Sequence, residues 1–240
     1  MNRKMMALIA AMLVLSVESM AQDYTHKAYL KGGLGYGLGL ARGDIVRIIE
    51  TVYGKDTQEF GFPPGSCYAP SISFGKNIYG NFSAHLTMTY LLNFSYQNVN
   101  GLETSFGFSR FGIMAEGNYF LTLKKDVIAL VPTVGIGMFF PGQYFAKAPG
   151  FEQSIYYNAA PAFRGGLEFQ RQWRGKFSAG FGAYYQVEKY TAKSVRWGQM
   201  SDQHDSGLNL NASHIAITAT LIYPLVQNTR MGSMKNVFRK

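Results

Sequence analysis

Charge, cysteine and proline are all scarce in this chain of 240 residues. Only 15% of residues are charged, against ~25% in ordinary soluble domains. The single cysteine, Cys67, excludes a disulfide framework and any multi-thiolate metal site. Four histidines (His26, His85, His204 and His214) show no His-Glu-x-x-His spacing or comparable cluster, so no metal and no cofactor is implied. Basic residues exceed acidic ones, 23 to 14, yet no basic recognition helix or aromatic-interleaved basic motif is present, which excludes nucleic acid as a partner. What the chain has instead is 27 glycines, 15% aromatic residues and 47% hydrophobic residues, too apolar for general disorder.

The first 21 residues read as an export signal. Arg3 and Lys4 form a basic start, Met5 to Leu15 is apolar, and Ser19-Met20-Ala21 places small residues for cleavage before Gln22. The apolar run is about half the ~20 residues of a spanning helix.

Beyond it the sequence alternates. From Ala28, the even positions Leu30, Leu34, Tyr36, Leu38 and Leu40 oppose odd positions Tyr29, Lys31, Gly33, Gly35, Gly37 and Gly39. Successive side chains on a strand point to opposite faces, so this is one apolar face and one face with little bulk. The pattern returns at Phe82, Ala84, Leu86, Met88, Tyr90, Leu92, Phe94 and Tyr96, and again from Phe177 to Val187. Weaker versions cover 68–76, 104–122, 127–140, 154–171 and 208–223. The phase changes between Phe108 and Phe111 and near Ser213, as β-bulges would require. Eight strands result.

The connections alternate too. Those at 77–81, 124–126 and 172–175 are short, and those at 43–67, 97–103, 141–153 and 191–207 are longer. This is the habit of outer-membrane barrels, with tight periplasmic turns and longer extracellular loops. The less apolar face is rich in Gly, Ser, Thr and Asn, which suits the crowded interior of an eight-stranded barrel better than a solvated surface. The expectation is therefore an all-β, eight-stranded antiparallel up-and-down transmembrane barrel over 22–225, in the outer membrane, monomeric, with a basic tail at 226–240. Val127 to Ala146 carries no charge and would pass a hydropathy window for a spanning helix, but Pro132, Pro141 and three glycines interrupt it. A strand is the preferred reading.

The segments GGLGYGLGL (32–40), FRGGLEF (163–169) and ITATLIYPL (217–225) resemble the outer-membrane protein beta-barrel domain family, small eight-stranded barrels common in Bacteroidota. The resemblance covers about 24–225 and implies a fold and a place; members of the family mostly carry no assigned activity. One departure is that the chain runs on past the aromatic Tyr223 to Lys240.

Candidate residues follow from these faces. Arg110, Glu116, Arg164, Glu168 and Glu188 fall on the inward face, where opposite charges must pair because an isolated buried ion is heavily penalised. A proton or small-ion relay is the functional alternative. In the first long loop Ile45, Ile48, Ile49, Val52 and Tyr53 recur at helical spacing after an Asp44 cap, making a short amphipathic helix and the preferred partner contact. His204, Asp205 and Ser206 hold the residue types of a hydrolase, but consecutive residues rarely adopt triad geometry. The resulting expectation is a non-enzymatic structural or interaction protein that contacts outer-membrane lipids and an envelope or extracellular protein. Its rivals are a lipid-modifying enzyme and a soluble periplasmic ligand-binding barrel.

Overall fold

The alternating segments pair in register to close a ring. The computed structural model describes residues 28–40, 64–99, 102–124, 128–148, 151–173, 177–197 and 209–226. Its strand segments are β1 (Ala28–Gly39), β2 (Cys67–Tyr68), β3 (Ser71–Tyr79), β4 (Phe82–Val99), β5 (Leu102–Tyr119), β6 (Leu121–Lys124) and β7 (Ile128–Ala148). They continue with β8 (Phe151–Tyr157), β9 (Ala160–Trp173), β10 (Phe177–Tyr190), β11 (Ala192–Trp197), β12 (Leu210–Asn211) and β13 (His214–Val226). Short breaks divide some long strands, so β2–β3, β5–β6, β8–β9, β10–β11 and β12–β13 each act as one stave. Every neighbouring pair is antiparallel, and β1 pairs with β13 from Ala28↔Val226 to Gly39↔His214, closing an eight-stranded barrel.

The apolar parity faces out. Leu34 is 63% exposed and Phe181 62% exposed, whereas Thr87, one residue from the exposed Leu86, is 2% exposed. An outward belt of Leu, Ile, Phe and Tyr with an inward face of Gly, Ser, Thr and buried charge inverts the arrangement of a soluble ligand-binding barrel. Among the described residues no helix is long and apolar enough to cross a membrane.

The segment Val127–Ala146 runs as strand from Ile128 onward. Pro132 sits in it opposite Leu167, and Pro141 pairs with Arg110 where the β5–β7 ladder shifts register after Phe108. That bulge is the phase change read between Phe108 and Phe111. The break near Ser213 separates β12 from β13.

Three connections depart from expectation. Residues 97–99 and 102–103 belong to β4 and β5, which pair up to Val99↔Leu102. Residues 141–148 and 151–153 likewise belong to a β7–β8 ladder ending at Ala148↔Phe151. These longer connections are therefore strand hairpins for most of their length. Trp197 similarly ends a strand, β11, that pairs with β8. Polar residues at 97–98 and 103 and the Pro141-Gly142 pair hid these extensions, although Tyr144 and Ala146 still turn inward and are buried. The segments 1–21 and 227–240, and the first connection before Pro64, lie outside the described residues.

Nitroxide labels test the inside–outside assignment. Labels at Leu86 and Phe181 of reconstituted protein are expected to be relaxed by dissolved oxygen and shielded from a water-soluble nickel chelate, while a label at Thr87 is shielded from oxygen. The reverse result at 86 and 181 would turn the barrel inside out.

Candidate functional site

The barrel interior collects three carboxylates and three cations delivered by β1, β5, β9 and β10. Lys31 of β1 meets Glu168 of β9 at 2.5 Å. Glu168 also accepts from Thr220 Oγ1 at 2.7 Å and Gln170 Nε2 at 2.9 Å. Arg164 Nη1 reaches Glu116 Oε1 at 3.1 Å. The other oxygen of Glu116 accepts from His85 Nε2 at 2.7 Å and from Thr87 Oγ1. Nearer the long connections, Arg110 Nε lies 3.1 Å from Glu188 Oε2, both side chains fully buried. Tyr190 donates its hydroxyl to the same carboxylate at 2.5 Å. Such pairs answer the desolvation of buried ions, and the extra hydrogen bonds occupy the remaining lone pairs.

Local sequence makes the pairing feasible. Glu116, Gly135 and Arg164 are register partners across β5, β7 and β9. With no side chain on the middle strand, the acid and the guanidinium meet above the glycine; a Cβ there would lie 2.6 Å from Glu116 Cγ. Glu168 reaches across β10 in the same way. A Cβ on Gly180 would stand 2.1 Å from Glu168 Oε1 and 2.5 Å from Thr220 Oγ1. The low-bulk face is thus the space through which long charged side chains extend.

Gln186 joins the two levels. Its Oε1 accepts from Arg164 Nε at 2.8 Å, and its amide nitrogen donates to Glu188. The Arg164 guanidinium lies 4.2 Å from the Tyr184 ring centroid, a cation–π contact. At the other end Asn118 donates to His85 Nδ1 at 2.8 Å, which fixes the tautomer that points an N–H at Glu116.

A polar cavity of about 60 Å³, bounded by Lys31, His85, Glu116, Arg164, Glu168 and Tyr184, is large enough for a few waters. Above it Phe108, Tyr144, Tyr157 and Tyr190 pack ring against ring, with Phe108 and Tyr190 edge-on at 5.7 Å. Buried Tyr29 and Phe120 occupy the turn end. This interior is filled in the manner of narrow eight-stranded barrels. Its charged groups are engaged in ion pairs and hydrogen bonds. Among the described residues no three His, Cys, Asp or Glu side chains converge as a metal site.

No protein-family model matches the chain, and no curated protein matches it in sequence. Solved structures do match. A major outer membrane protein from Thermus thermophilus shares 10% identity at a TM-score of 0.51, over 82% of this chain and 99% of that one. The fold is that of a small outer-membrane barrel. Neisserial surface protein A aligns over 82% of this chain and 97% of its own at 10% identity and a TM-score of 0.47. The attachment invasion locus protein Ail of Yersinia pestis aligns over 84% and 98% at 7% identity and 0.41.

Within this barrel the structure places Arg110, Glu116, Arg164, Glu168 and Glu188 inside and brings them into contact with counter-charges, but as pairs that also need Lys31. The residues Ile45, Ile48, Ile49, Val52 and Tyr53, and His204, Asp205 and Ser206, lie outside the described residues. Sequence reasoning missed Lys31, His85, Tyr190 and His214, whose Nδ1 lies 3.7 Å from Glu188 Oε1, as members of the network. For Lys31 and His85 the signal was present, since each occupies the inward parity of a strand already recognised. Tyr190 likewise continues the inward parity of Gln186 and Glu188, just before the connection expected at 191–207. The role of Pro64 was not legible: its carbonyl accepts from Arg110 Nη1 at 2.7 Å, so the proline–glycine turn dips into the barrel mouth. Gly65 permits this, because a Cβ there would meet Ser213 O at 2.5 Å.

Replacing Arg110 by Met leaves Glu188 buried without its cation and is expected to cost about 3–5 kcal/mol. A second change, Glu188→Leu, recovers most of that loss. Urea unfolding followed by the gel shift between folded and unfolded forms measures both. By the same assay Gly180→Ala, which pushes Glu168 off Thr220, is expected to cost about 1–3 kcal/mol. Gly165→Ala points outward into open space and stays within about 0.5 kcal/mol of the parent.

Proposed function

We propose that the protein is a non-enzymatic β-barrel of the outer membrane, exported by a cleaved leader, that anchors and presents surface structure. The observation that carries this reading is the filled interior. The three lumen carboxylates are held by Lys31, Arg110, Arg164 and their hydrogen-bond donors, and aromatic rings stack above them. A barrel organised in this way is a rigid post and conducts no solute.

The rim supports the presenting role. The β1–β13 ladder ends at Gly39↔His214. By contrast β4, β5, β7, β8 and β11 continue as a connected sheet through Val99↔Leu102, Ala148↔Phe151 and Trp197↔Gln153. One wall of the barrel is therefore extended on the side of the long connections. That wall, together with the segment 43–67, is the surface on which an envelope or extracellular protein would dock. The basic tail at 226–240 would meet periplasmic headgroups or an acidic partner. The parity of 32–40, 163–169 and 217–225 supports assignment to the outer-membrane protein beta-barrel domain family, with the Bacteroidota-type envelope that it implies.

Membrane fractionation and planar-bilayer recording test the proposal together. The protein is expected in the outer-membrane fraction, with folded and heat-denatured forms migrating differently on gels and no steady conductance after reconstitution. Recovery in the soluble periplasm, or a stable open pore, would refute it.

A further inference from the structure

The outward belt is not uniform. Across β4, β5, β7 and β9 a groove of about 530 Å³ opens in it, within the ~300–1,000 Å³ of ordinary ligand sites. Small Ala115 and the bare backbone at Gly137 form its floor, while Leu86, Met138, Phe140 and Phe163 stand around it. Its lining is almost wholly apolar, so it accepts a hydrocarbon chain and offers nothing to a polar ligand.

Charge begins where the groove ends. Pro161 belongs to the groove lining, and the register pair Glu188↔Ala162 puts outward-pointing Lys189 beside it. Four residues further on, the β8–β11 ladder slips between Ala192 and Ser194, which leaves Lys193 as the extra residue of a bulge. Lys189 and Lys193 are both exposed, and neither side chain has a hydrogen bond or an ion pair among the described residues. Their outward neighbours Asn158 and Thr191 are uncharged, and the described acids of that wall, Glu103 and Glu152, stand nearer the hairpin tips, opposite Asn98 and Lys147. An apolar trough thus runs up to two ammonium groups on the same outer wall that no described residue pairs.

We propose that this juxtaposition seats one phosphate-bearing lipid of the outer leaflet, its acyl chain in the groove and its phosphate against Lys189 and Lys193. The site rests on the outer-membrane reading above, and it adds a specific lipid to what would otherwise be a general solvating layer. An ammonium near an anionic lipid surface contributes on the order of 1 kcal/mol, about a fivefold preference per lysine.

Spin-labelled lipids test it. The full-length protein is reconstituted in phosphatidylcholine vesicles with a trace of chain-labelled phosphatidic acid or, separately, chain-labelled phosphatidylcholine, and the motionally restricted fraction is read by electron paramagnetic resonance. Restricted phosphatidic acid is expected to exceed phosphatidylcholine about fivefold or more. Lys189→Gln with Lys193→Gln should remove the preference. Ala115→Leu, which fills the groove from the lipid side and keeps both lysines, should lower restricted phosphatidic acid while folding, checked by the gel shift, is kept. Equal restriction of the two lipids in the parent protein, or a preference that survives the lysine changes, would overturn the site. A preference untouched by Ala115→Leu would overturn it too, leaving only loose headgroup attraction. Absence of restricted lipid of either kind would instead overturn the membrane reading beneath it.

Discussion

A ring of eight strands encloses a space that side chains alone can fill, and everything inside this protein answers to that confinement. Water cannot follow a carboxylate into such a volume in bulk, so each acid must find a cation and enough donors among its neighbours. Glu116, Glu168 and Glu188 do so through Arg164, Lys31 and Arg110. The same confinement explains the glycines. At Gly135 and Gly180 the absence of a side chain is what lets a longer one cross to its partner. Charge inside and small residues inside are two aspects of one packing solution.

The fold was largely legible because its strongest signal has a period of two. Inward Thr87 and outward Leu86 are assigned by parity alone, and the β3–β4 and β4–β5 registers keep that parity. Legibility failed where polar residues or a proline–glycine pair masked a strand that continues. Residues 97–99 and 102–103 carry Gln, Asn and Glu, which read as loop, yet their backbone groups continue the β4–β5 ladder. Pro141 falls at the start of the connection expected at 141–153, but it is absorbed at the bulge opposite Arg110, where a missing N–H does least harm.

The network was harder to see than the barrel. Parity places a residue inside; it does not say which strand will deliver the counter-charge. Lys31 and Glu168 are separated by 137 residues and meet because the ring closes between β1 and β13. Closure also depends on bulges and on the tilt of the strands, neither of which residue spacing specifies. Pro64 illustrates the limit most clearly. A proline–glycine pair before a strand announces a turn, and nothing in the sequence indicates that the turn enters the mouth and caps a buried guanidinium with a backbone carbonyl.

The row Glu116–Gly135–Arg164 has a consequence for how this chain can change over time. Because Gln186 couples Arg164 to Glu188, and Glu188 pairs with Arg110, altering one member strains residues on β5, β9 and β10 together. Single drifting steps along the row are penalised, while coordinated replacements of several members at once are tolerated. Away from the groove over Ala115 and Gly137 the outward belt has no such linkage, since any oily side chain serves there. Descent should therefore leave the lumen chemistry changing in rare correlated jumps beneath an exterior that, away from that groove and its two lysines, wanders freely, so that inheritance in this barrel is recorded mostly on the inside.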